Sequence, residues 1–245
     1  MTVKQSCPLS PPMKTLAIDS SLAAGSVAAL SNGTVAEERL PTAGEHARRL
    51  AAAIDAMAAG LGWSTRDAEL VAVVRGPGSF TGLRVGLATA KAIAWATGAT
   101  LIGVSGFELV ARASARRTGR EDVGVHVAYD AGRGDLFVAA VAPAADIAGG
   151  WRVGEPRLVP AGDWLASLPR GAVVSGPGLA IVGGGLAARS DLVVAPSEAW
   201  LPTAAAAGAL ALELAAAGRA DDPHSLVPDY LRPSYADETA ARSFG

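Results

Sequence analysis

Two short signals occur twice in this chain, in the same order, and together they constrain its fold more than any other feature. Ala17-Ile18-Asp19 closes one apolar run and Ala128-Tyr129-Asp130 closes another, and each is followed by a second apolar run, at 25–30 and 134–141. Further on, Val73-Val74-Arg75-Gly76-Pro77-Gly78 is matched by Val173-Val174-Ser175-Gly176-Pro177-Gly178. Ordered self-similarity of this kind is the mark of a duplicated structural unit. Each unit opens with a strand that ends in aspartate.

The local pattern fits such a unit. A strand is expected at 14–19, and Asn32-Gly33 makes a tight hairpin turn between strands at 25–30 and 34–40. Leu50, Ile54, Met57 and Leu61 recur at helical spacing, and Gly60 and Gly62 end that helix. A buried strand at 70–74 leads into a helix at 79–97, with Ser79 or Thr81 as its cap and Gly98 as its stop. A strand at 100–104 and a helix at 107–117 follow. Strands alternating with helices indicate an α/β layered fold. Two such halves facing one another describe the actin-like (ribonuclease H-like) architecture, each half a mixed sheet with flanking helices. The expected division is a loose extension at 1–12, a first domain at 13–118, a smaller second domain at 119–220 and a tail at 221–245.

Composition excludes several classes. A net charge of −2 is unlike a protein that holds RNA by its phosphates alone, so a role in RNA chemistry runs through a partner. Arg112, Arg116, Arg117 and Arg120 cluster, and read as a solvated helix end. The chain has 1 cysteine, Cys7, which excludes an intramolecular disulfide and a thiolate metal cluster. Gly, Pro, Ser and Thr interrupt the uncharged stretches, 171–188 most clearly, so these read as core and not as membrane spans. The first dozen residues carry Pro8, Pro11 and Pro12, lack the apolar run of a signal peptide, and make Met13 an alternative start. A cytoplasmic protein is expected.

The candidate chemistry lies at the ends of the two aspartate strands. In actin-like proteins the turns after these strands grip nucleotide phosphates, because tight-turn N–H groups bind phosphate oxygens and the carboxylate holds magnesium. Asp19, Ser20 and Ser21 form the first turn here, and Asp130 and Gly132 the second. A working turn of this class has glycine two residues after the aspartate, where the backbone must approach the phosphate. The second turn keeps it, but the first has Ser21. The set is therefore a vestigial nucleotide site or a pair of structural carboxylates, and the altered first turn favours the latter. The run Gly76, Pro77, Gly78, Ser79, Phe80, Thr81, Gly82 lacks Walker A spacing and the third glycine of a dinucleotide loop, and makes sense as a structural turn. His46, His126 and His224 form no metal pair, and no serine sits in a Gly-x-Ser-x-Gly elbow. No catalytic residue, metal site or cofactor is assigned.

The helices at 50–61 and 79–97 carry apolar residues around most of their circumference, with Arg84 and Lys91 the only charges on the second. A helix apolar all round is buried on more than one side. Either the two cover each other or a partner protein covers them. On the second reading Leu50, Ile54, Met57, Leu83, Leu87, Lys91 and Trp95 are the contact residues.

The opening Leu16-Ala17-Ile18-Asp19-Ser20-Ser21, the run from Arg75 to Arg84, Ile102-Gly103-Val104-Ser105, Asp130-Ala131-Gly132-Arg133-Gly134-Asp135 and the closing Pro228-Asp229-Tyr230-Leu231-Arg232 together resemble the TsaB (YeaZ) family. The resemblance covers residues 13–232, with the stretch 75–84 its specific part. It implies an actin-like fold without an intact ATP site. It implies pairing with the catalytic relative TsaD through helices of the first half, with the ATPase TsaE joining, and indirect action on tRNA. The reaction so served is N6-threonylcarbamoylation of adenosine 37 in tRNAs reading codons that begin with A. The extension before Met13 departs from the family pattern, as does Ala47-Arg48-Arg49 after His46. The competing expectations are an active actin-like phosphotransferase or glycoprotease-type peptidase, and a homodimer using the same helices on itself.

Overall fold

The computed structural model describes residues 13–40 and 46–232. Its first half contains β1 (Thr15–Asp19), β2 (Ser26–Ser31), β3 (Thr34–Arg39), α1 (His46–Gly60), β4 (Leu70–Gly76), α2 (Phe80–Thr97), β5 (Thr100–Ser105) and α3 (Gly106–Thr118). The second half contains β6 (Val125–Gly132), β7 (Asp135–Pro143), β8 (Trp151–Val153), β9 (Arg157–Pro160), α4 (Ala161–Ser167), β10 (Val173–Ser175), α5 (Leu179–Val182), α6 (Gly184–Ala187), β11 (Val193–Val194) and α7 (Ala204–Ala216).

The duplication is plain in the strand order. The first sheet runs β3-β2-β1-β4-β5 and the second β8-β7-β6-β10-β11, with β9 also paired to β7. In each, the aspartate strand pairs antiparallel with the strand after it and parallel with the strand that enters the Gly-Pro-Gly turn. The expected fold class therefore holds: two mixed sheets of one topology, each flanked by helices.

Side-chain alternation sorts the cores. On β1, Leu16 and Ile18 face α1 and α2, where they meet Leu50, Ile54, Leu87 and Ala90. Ala17 faces the other way, toward Leu210, Ala211 and Leu214 of α7. The hairpin turn is as the sequence requires, with Asn32 at φ 49° and Gly33 at φ 71°. Ser79 caps α2 by accepting from the Gly82 N–H, and Gly98 ends it at φ 74°.

The division at residue 118 separates strands but not helices. The helix that closes each half packs on the other half's sheet. Phe107, Val110 and Ala115 of α3 meet Val125, Val127 and Val141 of the second sheet. Conversely α7, which follows β11, lies on the first sheet, and its N-terminus is capped there: Ala204 N donates to Ser26 Oγ (2.8 Å) and Ala205 N to Glu37 Oε1 (2.9 Å). Residues 204–216 thus belong physically with the first half. Where the two closing helices meet, Arg112 of α3 lies between Glu108, 3.6 Å away, and Glu213 of α7. Burial raises the Glu108 carboxyl to about 7 against the pull of Arg112.

Residues 221–232 are not a free tail. Past α7 the chain returns along β5, where Asp221 N donates to Leu101 O (2.8 Å), Asp221 Oδ2 accepts from Gly103 N (2.8 Å) and Arg219 donates to Gly103 O (2.9 Å). Leu226 is then buried in the first core. No helix among the described residues is long and apolar enough to cross a membrane.

Candidate functional site

The Gly-Pro-Gly turn and the two aspartate strands converge on a cleft of about 840 Å³ between the halves. Its walls include Ser21, Pro77, Phe80, Asp130, Phe137 and Tyr230.

The two aspartates differ sharply. Asp19 is 1 % exposed, and its Oδ1 accepts from both the N–H of Ser21 (3.0 Å) and the Ser21 hydroxyl (2.6 Å). Burial holds its carboxyl above the ordinary aspartate range, while the Ser21 bonds oppose that rise. Asp130 is exposed and closes a turn on itself by accepting from Gly132 N at 2.7 Å, with Gly132 at φ 78°. Tyr129, next to Asp130, is buried edge-on against Phe107 (5.3 Å between ring centroids), and burial pushes its phenol far up. The phenol oxygen has no hydrogen-bond partner.

Around Ser20 and Ser21 the turn after β1 is bonded to the chain that leads into α2. Ser20 Oγ donates to Gly82 O (2.8 Å), and Ser79 N donates to Ser21 O (2.7 Å), so the first turn of α2 lies directly on the turn after β1. Two glycines make that approach feasible. A β-carbon at Gly82 would run into the Ser20 carbonyl oxygen, and one at Gly86 would run into Ser20 Oγ. Gly86 was not singled out by sequence; its signal is a glycine in a helix interior, which normally costs stability unless a close approach needs it. Gly76, Gly78 and Thr81 take their places in the same turn, with Thr81 exposed and Ser79 as the cap.

Four of the seven expected contact residues are buried. Leu50, Ile54 and Leu83 are each 2 % exposed and Leu87 is 5 % exposed, so all four offer a partner almost no area. Leu50, Ile54 and Leu87 lie in one core beneath the first sheet, because α1 and α2 cover each other there, and Met57 is half-buried against it. What α2 does present outward is the row Phe80, Arg84, Ala88, Ala92, Trp95 and Ala96, with Lys91 half-buried beside it. Trp95 is 83 % exposed.

At the cleft mouth lies a cluster that sequence reasoning missed. The Arg84 guanidinium sits 3.8 Å from the Phe80 ring centroid, and the Phe80 and Tyr230 rings are 5.1 Å apart. Arg84 Nε donates to the Tyr230 hydroxyl at 2.8 Å. The three residues come from segments 146 positions apart, so no local pattern announces them. His126 is half-buried in β6, its pKa lowered by burial and by Arg157, and His224 lies in the segment after α7. His46 begins α1. Among the described residues no group of three or more His, Cys, Asp or Glu is placed to hold a metal ion.

Known proteins share this architecture and sequence. The family model described as tRNA N6-adenosine threonylcarbamoyltransferase (TsaD) matches residues 40–152. YeaZ from Pseudomonas aeruginosa superposes with a TM-score of 0.74 at 25 % identity, covering 89 % of this chain and 100 % of that one. The tRNA threonylcarbamoyladenosine biosynthesis protein TsaB of Bacillus subtilis (strain 168) is 28 % identical over 232 residues, which is 92 % of this chain and 96 % of that protein. The protein of the same name in Escherichia coli (strain K12) is 30 % identical over 229 residues, spanning 91 % of this chain and 96 % of its own length. With that identity held across almost the whole of both chains and the fold superposing on YeaZ, the chain belongs to the TsaB family of tRNA threonylcarbamoyladenosine biosynthesis proteins.

Proposed function

We propose that the chain is a non-catalytic subunit that pairs with the catalytic threonylcarbamoyltransferase, TsaD, and that the outer face of α2 is its docking surface. The observation that carries this reading is Trp95, 83 % exposed at the end of a row of alanines on a helix otherwise anchored in the core. A large aromatic left in water beside small residues is the pattern of an interface anchor, since tryptophan is enriched among residues that dominate binding energy. Ala88 and Ala92 let a second helix approach closely. The non-catalytic part of the reading is supported by the first turn, where the Ser21 N–H and hydroxyl are both spent on Asp19 and the Ser20 hydroxyl on Gly82 O, so that none of them is left for a phosphate.

On this reading the subunit meets tRNA through the transferase, in the cytoplasm, and the ATPase subunit TsaE joins the pair. In isolation the same face closes a homodimer. Residues 13–118 carry the docking helices, and 119–203 form the smaller half. Asp19 and Asp130 are structural carboxylates.

Titration calorimetry of the purified chain against the transferase tests this directly. One-to-one binding is expected, weakened ~30-fold or more by Trp95→Ala, because an interfacial tryptophan commonly contributes about 2 kcal/mol or more. Unchanged affinity in that variant would move the interface off α2. Absence of binding by the folded chain, or stoichiometric binding of magnesium ATP to the chain alone, would return the phosphotransferase reading to first place.

A further inference from the structure

We infer that residues 229–232 act as a strap across the cleft that fixes the angle between the two halves. Of these four consecutive residues, the first two hold to one side of the cleft and the last two to the other. Toward the first half, Asp229 N donates to Arg75 O at 2.8 Å, and the Asp229 carboxylate pairs with Arg75 at 3.4 Å. Tyr230 stacks on Phe80 and accepts from Arg84 at the first turn of α2. Toward the second half, Leu231 packs into the core that holds Phe107 and Tyr129. Arg232 then clasps the β6–β7 hairpin, donating to Ala131 O (3.0 Å) and to Asp135 Oδ2 (2.9 Å).

The first half is shaped to receive this segment. Gly76 has φ 145°, and a β-carbon there would sit 3.0 Å from the Asp229 β-carbon, so a side chain at 76 would push the strap away. Upstream, Asp221 and Leu226 pin the segment to the first half before it crosses. The crossing residues stay partly in water, with Tyr230 43 % exposed. They add little buried core, and what they contribute is a set of directional bonds that reach both halves.

Two halves of one chain move relative to one another unless a large apolar interface prevents it. Here the exchanged helices α3 and α7 join the halves, and the strap lines the cleft left between them. Since Phe80 and Arg84 belong to α2, the strap also sets how the outer face of that helix is oriented against the second half. This holds whether or not α2 docks a partner.

The test is a distance measurement between nitroxide labels on the full chain, in a Cys7→Ser background with Ala88→Cys on α2 and Ala166→Cys on α4. Labelled protein is diluted with unlabelled protein, so that only distances within one chain are read. With the strap intact a single narrow distribution is expected. In Tyr230→Ala/Arg232→Ala the distribution should broaden and move to longer distance, and in Tyr230→Phe, which keeps the ring and loses one bond, it should broaden less. Superimposable distributions in intact and doubly substituted chains would overturn the inference. Should the double variant lose its circular-dichroism signal, Tyr230→Phe with Arg232→Gln decides by the same criterion.

Discussion

Replacing Gly86 with alanine places a methyl group where Ser20 Oγ now lies, and also brings it to 3.4 Å from Ile18 Cγ2. Ser20 must then leave its notch and give up the bond to Gly82 O. Overpacking of a filled site costs about 1–3 kcal/mol. The lost hydrogen bond adds about 1 kcal/mol. Against both, alanine in a helix interior is about 1 kcal/mol better than glycine. The net expectation for Gly86→Ala is a loss of about 1–3 kcal/mol, read as a lower midpoint in urea unfolding. The second arm is Ser20→Ala, which costs about 1 kcal/mol alone because it removes one hydrogen bond. In the double variant the methyl enters the space the hydroxyl vacated, so the two losses should fall short of their sum by about 1 kcal/mol or more. Strict additivity, or a Gly86→Ala protein more stable than its parent, would refute the claim that α2 is seated on the turn after β1 by this notch.

Leu83→Ala should cost about 2–5 kcal/mol in urea unfolding, since it empties a buried site under α2, whereas a true surface contact residue would show almost no change. Trp95→Ala should leave the unfolding midpoint within about 0.5 kcal/mol of the parent, as an exposed substitution does, even where it abolishes partner binding. Glu108 bears on pH. Its carboxyl is raised to about 7 in the fold from 4.5, so the stability it lends is complete below about 4.5 and is lost as pH rises through 7. Glu108→Gln should therefore match the parent near pH 4.5 and exceed it at pH 8, by about 3 kcal/mol at most for a shift of that size. Thermal scans of both proteins across that window decide it, and a gap that widens toward acid would show the sign to be wrong.

The first half was legible because its elements announce themselves. Asn32-Gly33 dictated the β2–β3 hairpin, and Ser79 and Gly98 bounded α2 almost to the residue. The repeated Gly-Pro-Gly and aspartate signals gave the duplication before any strand order was known. The later elements were silent for physical reasons. Apart from Gly208 and Glu213 the helix α7 is alanine and leucine throughout, so no periodicity marks a face. The strands β8 and β11 are three and two residues long, too short for alternation to be read. The contact residues were misplaced for a related reason. A helix apolar all round does not say which side meets its own sheet, and Leu50, Ile54, Leu83 and Leu87 fell on the inner side while Trp95 fell on the outer. The strap was visible as a tail motif, but its bonds span more than 90 positions and only the fold brings them together.

The run of hydrogen bonds from Arg219 and Asp221 onto the backbone of β5 has a consequence for solubility. A strand at the border of a sheet offers unpaired N–H and C=O groups on which another chain can polymerise. Leu101 O, Gly103 N and Gly103 O are such groups on β5, and all three are engaged by the returning chain. A protease cut just after Gly218 would free them while leaving both sheets and α7 intact. The residual protein would then present an adhesive border, and its fate would be set by aggregation as much as by unfolding.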